Sequence, residues 1–272
     1  MNLKKGVEAM NIFSQFIKSL YSPKHIASFR FQSIGKTILY AFMLSLLSIS
    51  PSAIYLSNAI MDGANHMAKA LITEFPDFEI KDGKLYSEEK LPVIIENDVA
   101  TFHFDSTGSL AANDVASPTG VDFGILQDEF VIAADGETQS IAYSMIPGLE
   151  LDNEKASNFI KSAKSSLYIF IGLFILMMFL FTSAIFFLEI TLLAYISGIF
   201  ITSMNRKANF GQQWRISAYS FTLAVTFFTF MNFIQVPVIG DVYVKWFITL
   251  MMIYLTVKEM PIPKSKQKTT QP

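Results

Sequence analysis

"LYIFIGLFILMMFLFTSAIFFLEITLLAYISGIFIT", Leu167 to Thr202, runs for thirty-six residues with a single charge, Glu189. As one helix rising about 1.5 Å per residue it would reach about 54 Å. That is too long for one upright crossing of a ~30 Å hydrocarbon core and slightly short for two crossings and a turn. Three other runs share its composition. Thr37–Leu56 has twenty residues and no charge, Ile216–Ile234 has nineteen and none, and Val238–Val257 has twenty, with Asp241 and Lys245 near its start. Inside lipid every backbone amide needs an internal partner, so helices are expected for all four. Charged residues make up 16% of the chain, against roughly 25% in a soluble domain.

Charge arbitrates the number of crossings, because Lys and Arg stay on the cytoplasmic side. Residues 1–36 hold Lys4, Lys5, Lys18, Lys24, Arg30 and Lys36 against Glu8. Residues 203–215 hold Arg206, Lys207 and Arg215 with no acid, and the tail from Lys258 holds four lysines against Glu259. Ser57–Ser166 instead holds seven lysines against nineteen acids. Both termini are therefore expected inside and 57–166 outside, which requires an odd number of crossings in 167–202. One is expected, at about 167–188, continuing past Glu189 to about 204 as a cytoplasm-side extension that Gly198 could bend. A fifth crossing would put three bare cations on the wrong face.

The expected fold is a membrane α-helical bundle of four transmembrane helices with an inserted extracytoplasmic mainly-β domain. Its parts are an interfacial segment (1–36), crossings at 37–56, 167–204, 216–234 and 238–257, the acidic domain (57–166), a basic loop (205–215) and a disordered basic tail (258–272). The tail lysines suit anionic lipid.

Before the first run stands "YSPKHIASFRFQSIGKTILY", Tyr21–Tyr40, with Lys24, Arg30 and Lys36 among aromatics. The collar of a membrane span accounts for these cations, and no wider basic domain surrounds them. The lipid bilayer is an expected partner and nucleic acid is not. A polar lead of 36 residues is also too long for the n-region of a signal peptide. Upstream, Ile12, Phe13, Phe16, Ile17, Leu20 and Tyr21 share one helical face, as expected of a helix lying in the cytoplasmic interface. Ser22-Pro23 should break it, and Phe29, Arg30 and Phe31 should lie at headgroup level.

The stretch "FSQFIKSLYSPKHIASFRFQSIGKTILYAFMLSLLSISPS" resembles the N-terminal signature of the DUF1189 family of membrane proteins from low-GC Gram-positive bacteria. Tyr21, Ser22, Pro23, Phe29, Arg30, Gly35, Lys36, Tyr40 and Pro51 carry the likeness. A second patch, "GQQWRISAYSFTLAV" (Gly211–Val225, with Trp214 and Arg215), matches as well. The resemblance implies a plasma-membrane protein and a link to maltodextrin uptake, with a sugar-transporter membrane subunit as partner and an oligosaccharide as ligand. It implies no catalytic residues.

Within 57–166, Ile60, Ala64, Met67 and Leu71 continue a helical period, as if the first crossing extended into a stalk closed by Pro76. Alternation of period two follows. Asp82-Gly83 between "FEIK" and "KLYS" is a strong hairpin signal, and Asp135-Gly136 turns a later pair. Six or seven short, mainly antiparallel strands are expected. Asp105 in "FHFDSTG" has one residue too many for the aspartic-protease loop, and reads as turn chemistry. His25, His66 and His103 lack ligand spacing, and Glu88-Glu89 and Asp128-Glu129 read as solvated loop charge. Tyr86, Phe102, Phe104, Phe123, Phe130 and Tyr143 could stack on sugar, although Phe at alternating strand positions more often builds a core. Cysteine is absent, which removes disulfides and thiolate chemistry. No cofactor, metal or catalytic residue is expected.

At membrane depth Glu189 is the main functional candidate. Asp241 and Lys245, four apart, could pair on one helix face. Ser45, Ser48, Ser50 and Ser52 flank Pro51 and could satisfy the backbone groups that proline frees. The expected function is a non-enzymatic membrane accessory or sensor, with a transporter or permease component as the alternative.

Overall fold

The computed structural model describes residues 10–96, 101–116, 121–134 and 136–262. Lys4, Lys5, Glu8, Asp135 and the tail lysines Lys264, Lys266 and Lys268 lie outside the described residues. The chain packs as two units. One comprises Met1–Leu56 with Gly172–Pro272, the other Ser57–Ile171.

The first unit is helical. Its elements are α1 (Ile12–Tyr21), α2 (Pro23–Phe29), part of α3 (Ile34–Thr73), part of α4 (Asn153–Ser203), α5 (Phe210–Ser220), α6 (Thr222–Phe233) and α7 (Asp241–Lys258). Ser22-Pro23 breaks the chain as its sequence dictates: Ser22 closes α1, and Pro23 opens α2 at a position where its missing amide costs nothing. Pro51 sits inside α3 and withholds the amide that would serve the Leu47 carbonyl. The Ser50 hydroxyl donates to that same carbonyl at 2.7 Å, so the helix continues.

Among the described residues, three helical stretches are long and apolar enough to cross a membrane: Ile34–Thr73, Asn153–Ser203 and Phe210–Phe233. The run expected as a fourth crossing, Val238–Val257, forms α7, whose 18 residues include Asp241, Lys245 and Lys258. The expected loop 205–215 is helical from Phe210, because Asn209 and Gln212 form a reciprocal capping box there. α4 starts at Asn153, well before the apolar run. The Asp152 carboxylate caps it by accepting the Lys155 amide at 2.7 Å. Gly198 stays helical, under the Gln213 side chain.

The interior of this unit adds two contacts that helical period does not specify. Gln15 and Ser19 of α1 are buried, whereas Phe13, Ile17 and Tyr21 stay exposed. The polar edge of α1 therefore faces the bundle, because the Tyr219 hydroxyl donates to the Gln15 side-chain oxygen at 2.6 Å. Phe29 is fully buried against Tyr219, with ring centroids 4.8 Å apart, and so lies in the core.

The second unit is built on two sheets. β1 (Phe78–Lys81), β2 (Lys84–Ser87) and β8 (Leu151–Asp152) form a three-stranded antiparallel sheet in the order β2-β1-β8. Asp82 (φ 51°) and Gly83 (φ 77°) both adopt the left-handed region, as a two-residue type I′ hairpin turn requires. β3 (Val93–Glu96), β4 (Thr101–Phe104), β5 (Val121–Ile125), β6 (Glu129–Ala134) and β7 (Glu137–Ala142) follow one another across a five-stranded sheet. The pairing is mainly antiparallel, as expected. β4 and β5 pair in parallel, and the chain between them includes a short 3₁₀ turn, Ala112–Asp114.

Phe75, Phe78, Ile80, Leu85, Phe102 and Phe104 make the main core of this unit. Val115, Leu126, Val131 and Ala133 form a second cluster. Gly124 touches that cluster where a Cβ would come 2.8 Å from the Val115 side chain. Asp105 directly follows β4 and is fully buried. Its carboxylate accepts the Thr107 hydroxyl at 2.6 Å and the amides of Thr107 and Leu110 at 2.8 and 2.7 Å, and so organises the turn.

Burial pushes the Asp105 carboxyl up, but hydrogen bonds from the Thr107 hydroxyl and from the Leu110, Thr107 and Ser109 amides outweigh it. The net effect is a value below the ordinary one. A carboxyl depressed by folding adds stability that is fully present above its unfolded value of about 3.9 and is lost as pH falls through the lower folded value. Acid titration of Asp105→Asn followed by tryptic cleavage within 57–166 should show easier cleavage at neutral pH and a flatter acid limb than the parent chain. Identical acid limbs would contradict this role.

Candidate functional site: a polar cavity beside an ion pair

Glu189 and Lys245 come from α4 and α7, fifty-six residues apart. Lys245 Nζ donates to Glu189 Oε1 at 2.6 Å, with the two side chains only 21% and 14% exposed. Nζ also stands 5.7 Å from the centroid of the Phe221 ring, which can share its charge. Sequence spacing alone pointed to an Asp241–Lys245 pair. An i,i+4 pair on a helix surface stabilises by only about 0.2–0.5 kcal/mol, whereas a half-buried Glu189 without a counter-charge would be far more costly. Lys245 accordingly goes to Glu189. Asp241 remains in the first turn of α7, where the helix dipole favours an anion, and accepts the Val242 amide at 2.7 Å.

Lys245 also forms part of the wall of a cavity of about 390 Å³. Ser48, Asn232 and Asp241 supply its other polar groups, and Phe186 and Val225 are among its apolar ones. Gly240, in the left-handed region at φ 70°, lets the chain turn into α7 and bring Asp241 to this wall. Both charges and both neutral polar groups stand on one hollow, a setting that can orient a small polar or zwitterionic group. The second oxygen of Glu189, Oε2, has no partner among the described residues.

The remaining sequence candidates fall into two sets. Arg30 donates to the Ala27 carbonyl at 2.8 Å and lies 4.4 Å over the Phe31 ring, and Lys24 and Lys36 are exposed. Arg206 donates to the Lys258 carbonyl at the end of α7 at 3.1 Å. Lys207 is exposed, and Arg215 bonds within its own helix to the Gly211 carbonyl. None of these cations lines the cavity beside Lys245.

Tyr21 is exposed, Pro23 opens α2, Gly35 has open space where a Cβ would project, and Pro51 is buried in α3. Trp214 donates to the Thr191 hydroxyl at 3.2 Å and stacks on Phe187. The Tyr40 and Thr222 hydroxyls lie 2.6 Å apart, and the Tyr40 and Tyr219 rings 4.4 Å. The two stretches singled out in the sequence, around residues 21–51 and 211–225, thus meet in one buried cluster that Gln15 completes. Period and charge gave no sign of that meeting, since a Tyr on an apolar helix reads as core.

The aromatic residues of the sheet unit do not form one open platform for a sugar. Phe102, Phe104 and Tyr143 are buried, and Phe102, Phe123 and Phe130 stack on one another. Tyr86 alone of the six is exposed.

No curated protein and no solved structure matches the chain. A family model described as "Protein of unknown function (DUF1189)" matches residues 13–257, taking in both stretches of the buried cluster together with Glu189 and Lys245. The chain belongs to the DUF1189 family.

Proposed function

We propose that this is a non-enzymatic integral membrane accessory or sensor protein of the bacterial plasma membrane. In this reading it crosses four times, with both ends in the cytoplasm and the sheet unit outside. The proposed partner is the membrane subunit of a sugar transporter, and the maltodextrin link comes from the family resemblance alone. Charge distribution supports the topology: seven lysines against nineteen acids in 57–166, but three cations and no acid in 203–215.

One observation carries the accessory reading. Two partly buried charges of the helical unit, Glu189 and Lys245, are paired with each other at 2.6 Å. Such a pair fixes two helices in register, whereas a carrier needs charges available to cargo. The cavity lined by Ser48, Asn232, Asp241 and Lys245 favours a second reading, a permease component.

The two separate experimentally. The tagged full chain, extracted in mild detergent from cells grown on maltodextrin, should retain sugar-transporter membrane subunits through extensive washing. Retention of none would sink the accessory reading. Uptake of labelled maltodextrin by liposomes holding this protein alone would establish the permease instead.

A further inference from the structure

The sheet unit contains a second cavity, of about 360 Å³, at the small end of the range for ligand pockets (about 300–1,000 Å³). Fourteen side chains line it, and only Tyr143 among them carries a polar atom. Its walls come from the stalk portion of α3 (Met67, Leu71), from β1, β5, β6, β7 and β8, and from the start of α4 (Ala156, Phe159, Ile160). Three rim residues remain strongly exposed: Ile141 at 51%, Ile146 at 47% and Phe159 at 71%. A hollow that is apolar within and apolar at its mouth gains nothing from water and suits a hydrocarbon chain.

Two further features define the chemistry of an occupant. The Tyr143 hydroxyl is buried and has no hydrogen-bond partner among the described residues, so its desolvation is uncompensated by the protein. Burial, followed by the charges of Glu129 and Asp128, pushes its ionisation well above the ordinary tyrosine value, so the group remains a neutral donor. Tyr143, Ile146 and Leu149 also line an adjoining hollow of about 290 Å³, whose polar side chains are Asp82, Ser144 and Glu150. The paired hollows are therefore amphipathic, with an apolar chamber, a shared Tyr143 side chain and an acidic porch. An acidic porch repels carboxylate and phosphate heads.

We propose that the sheet unit binds a single-chain neutral amphiphile, its acyl or prenyl chain in the apolar chamber and an uncharged oxygen of its head accepting a hydrogen bond from Tyr143. Lipid is the apolar material nearest this site along the chain, since Phe159 stands eight residues before Leu167, where the long apolar run begins. This site stands whether the helical unit serves an accessory or a permease.

Photolabelling of the full-length protein in detergent tests it, using a monoacylglycerol with a photoreactive acyl chain and the matched fatty acid and phosphatidylglycerol. The monoacylglycerol should label residues 67–80 and 141–160 in preference to the apolar runs, with the two anionic probes labelling there more weakly. Ile141→Glu, at the exposed rim, should cut labelling about tenfold by setting a charge across the entrance. Tyr143→Phe keeps the ring and deletes only the unpaired hydroxyl. It should weaken monoacylglycerol binding roughly 3–10-fold without lowering the melting temperature of the unliganded protein. Label confined to 37–56 and 167–202 would overturn the proposal. So would equal labelling by the fatty acid, or unchanged binding in Tyr143→Phe.

Discussion

Lys245→Met is expected to destabilise the helical unit by about 3 kcal/mol. The substitution keeps most of the apolar stem of the side chain and removes the ammonium group. It leaves Glu189, 14% exposed, with neither of its oxygens paired. Breaking a buried pair from one side costs far more than replacing both partners, so the double variant Glu189→Gln/Lys245→Met should regain most of the loss. Asp241→Asn, at a residue whose carboxylate serves its own helix start, should cost under about 0.5 kcal/mol. Thermal unfolding of the purified protein in one detergent gives all three values. Equal losses in Asp241→Asn and Lys245→Met would show that Lys245 answers to Asp241 after all.

Asn153→Ala should be comparably severe in the sheet unit, at about 3 kcal/mol. The Asn153 side chain donates to the Leu71 carbonyl at 2.8 Å and to the Pro76 carbonyl at 2.9 Å, and accepts the Phe78 amide at 2.9 Å. One amide thus joins the end of α3, the start of β1 and the first turn of α4. Alanine would leave three backbone groups unsatisfied at a part-buried position. Hydrogen exchange on the full chain should show faster exchange through residues 78–87, whose hairpin is anchored there, and little change in 34–56. Protection of the hairpin equal to that of the parent would refute the role given to Asn153. Asp152→Asn, which retains a capping oxygen, should barely alter exchange.

Sequence patterns revealed the features that depend on near neighbours. Asp82-Gly83 specifies its hairpin because few other residue pairs accept two positive φ values in succession. Ser50 and Pro51 announce the helix repair that the structure contains. The helical stalk was legible as well, since the period of Ile60, Ala64, Met67 and Leu71 passes through a change of composition into α3.

Features that depend on distant partners were not legible. Lys245 has an acid four residues away and another fifty-six away, and only folding ranks the two. Gln15 looks solvated on a helical wheel until Tyr219, 204 residues on, offers its hydroxyl. The parallel pairing of β4 with β5 leaves no mark on the alternation of either strand. Glu189 is the intermediate case: a lone charge in a long apolar run marked it out, while its counter-ion stayed hidden.

The buried link between Gln15 and Tyr219 imposes an order on biogenesis. The ribosome releases α1 early and the residue that receives it 204 positions later, an interval of roughly 10–40 s at ordinary elongation rates. Throughout that wait the Gln15 amide must be shielded by water, headgroups or the insertion machinery. Seating α1 is thus a late event in maturation, and a nascent chain halted before Tyr219 would carry an undocked N-terminal helix, a mark by which quality-control proteases could distinguish unfinished molecules from finished ones.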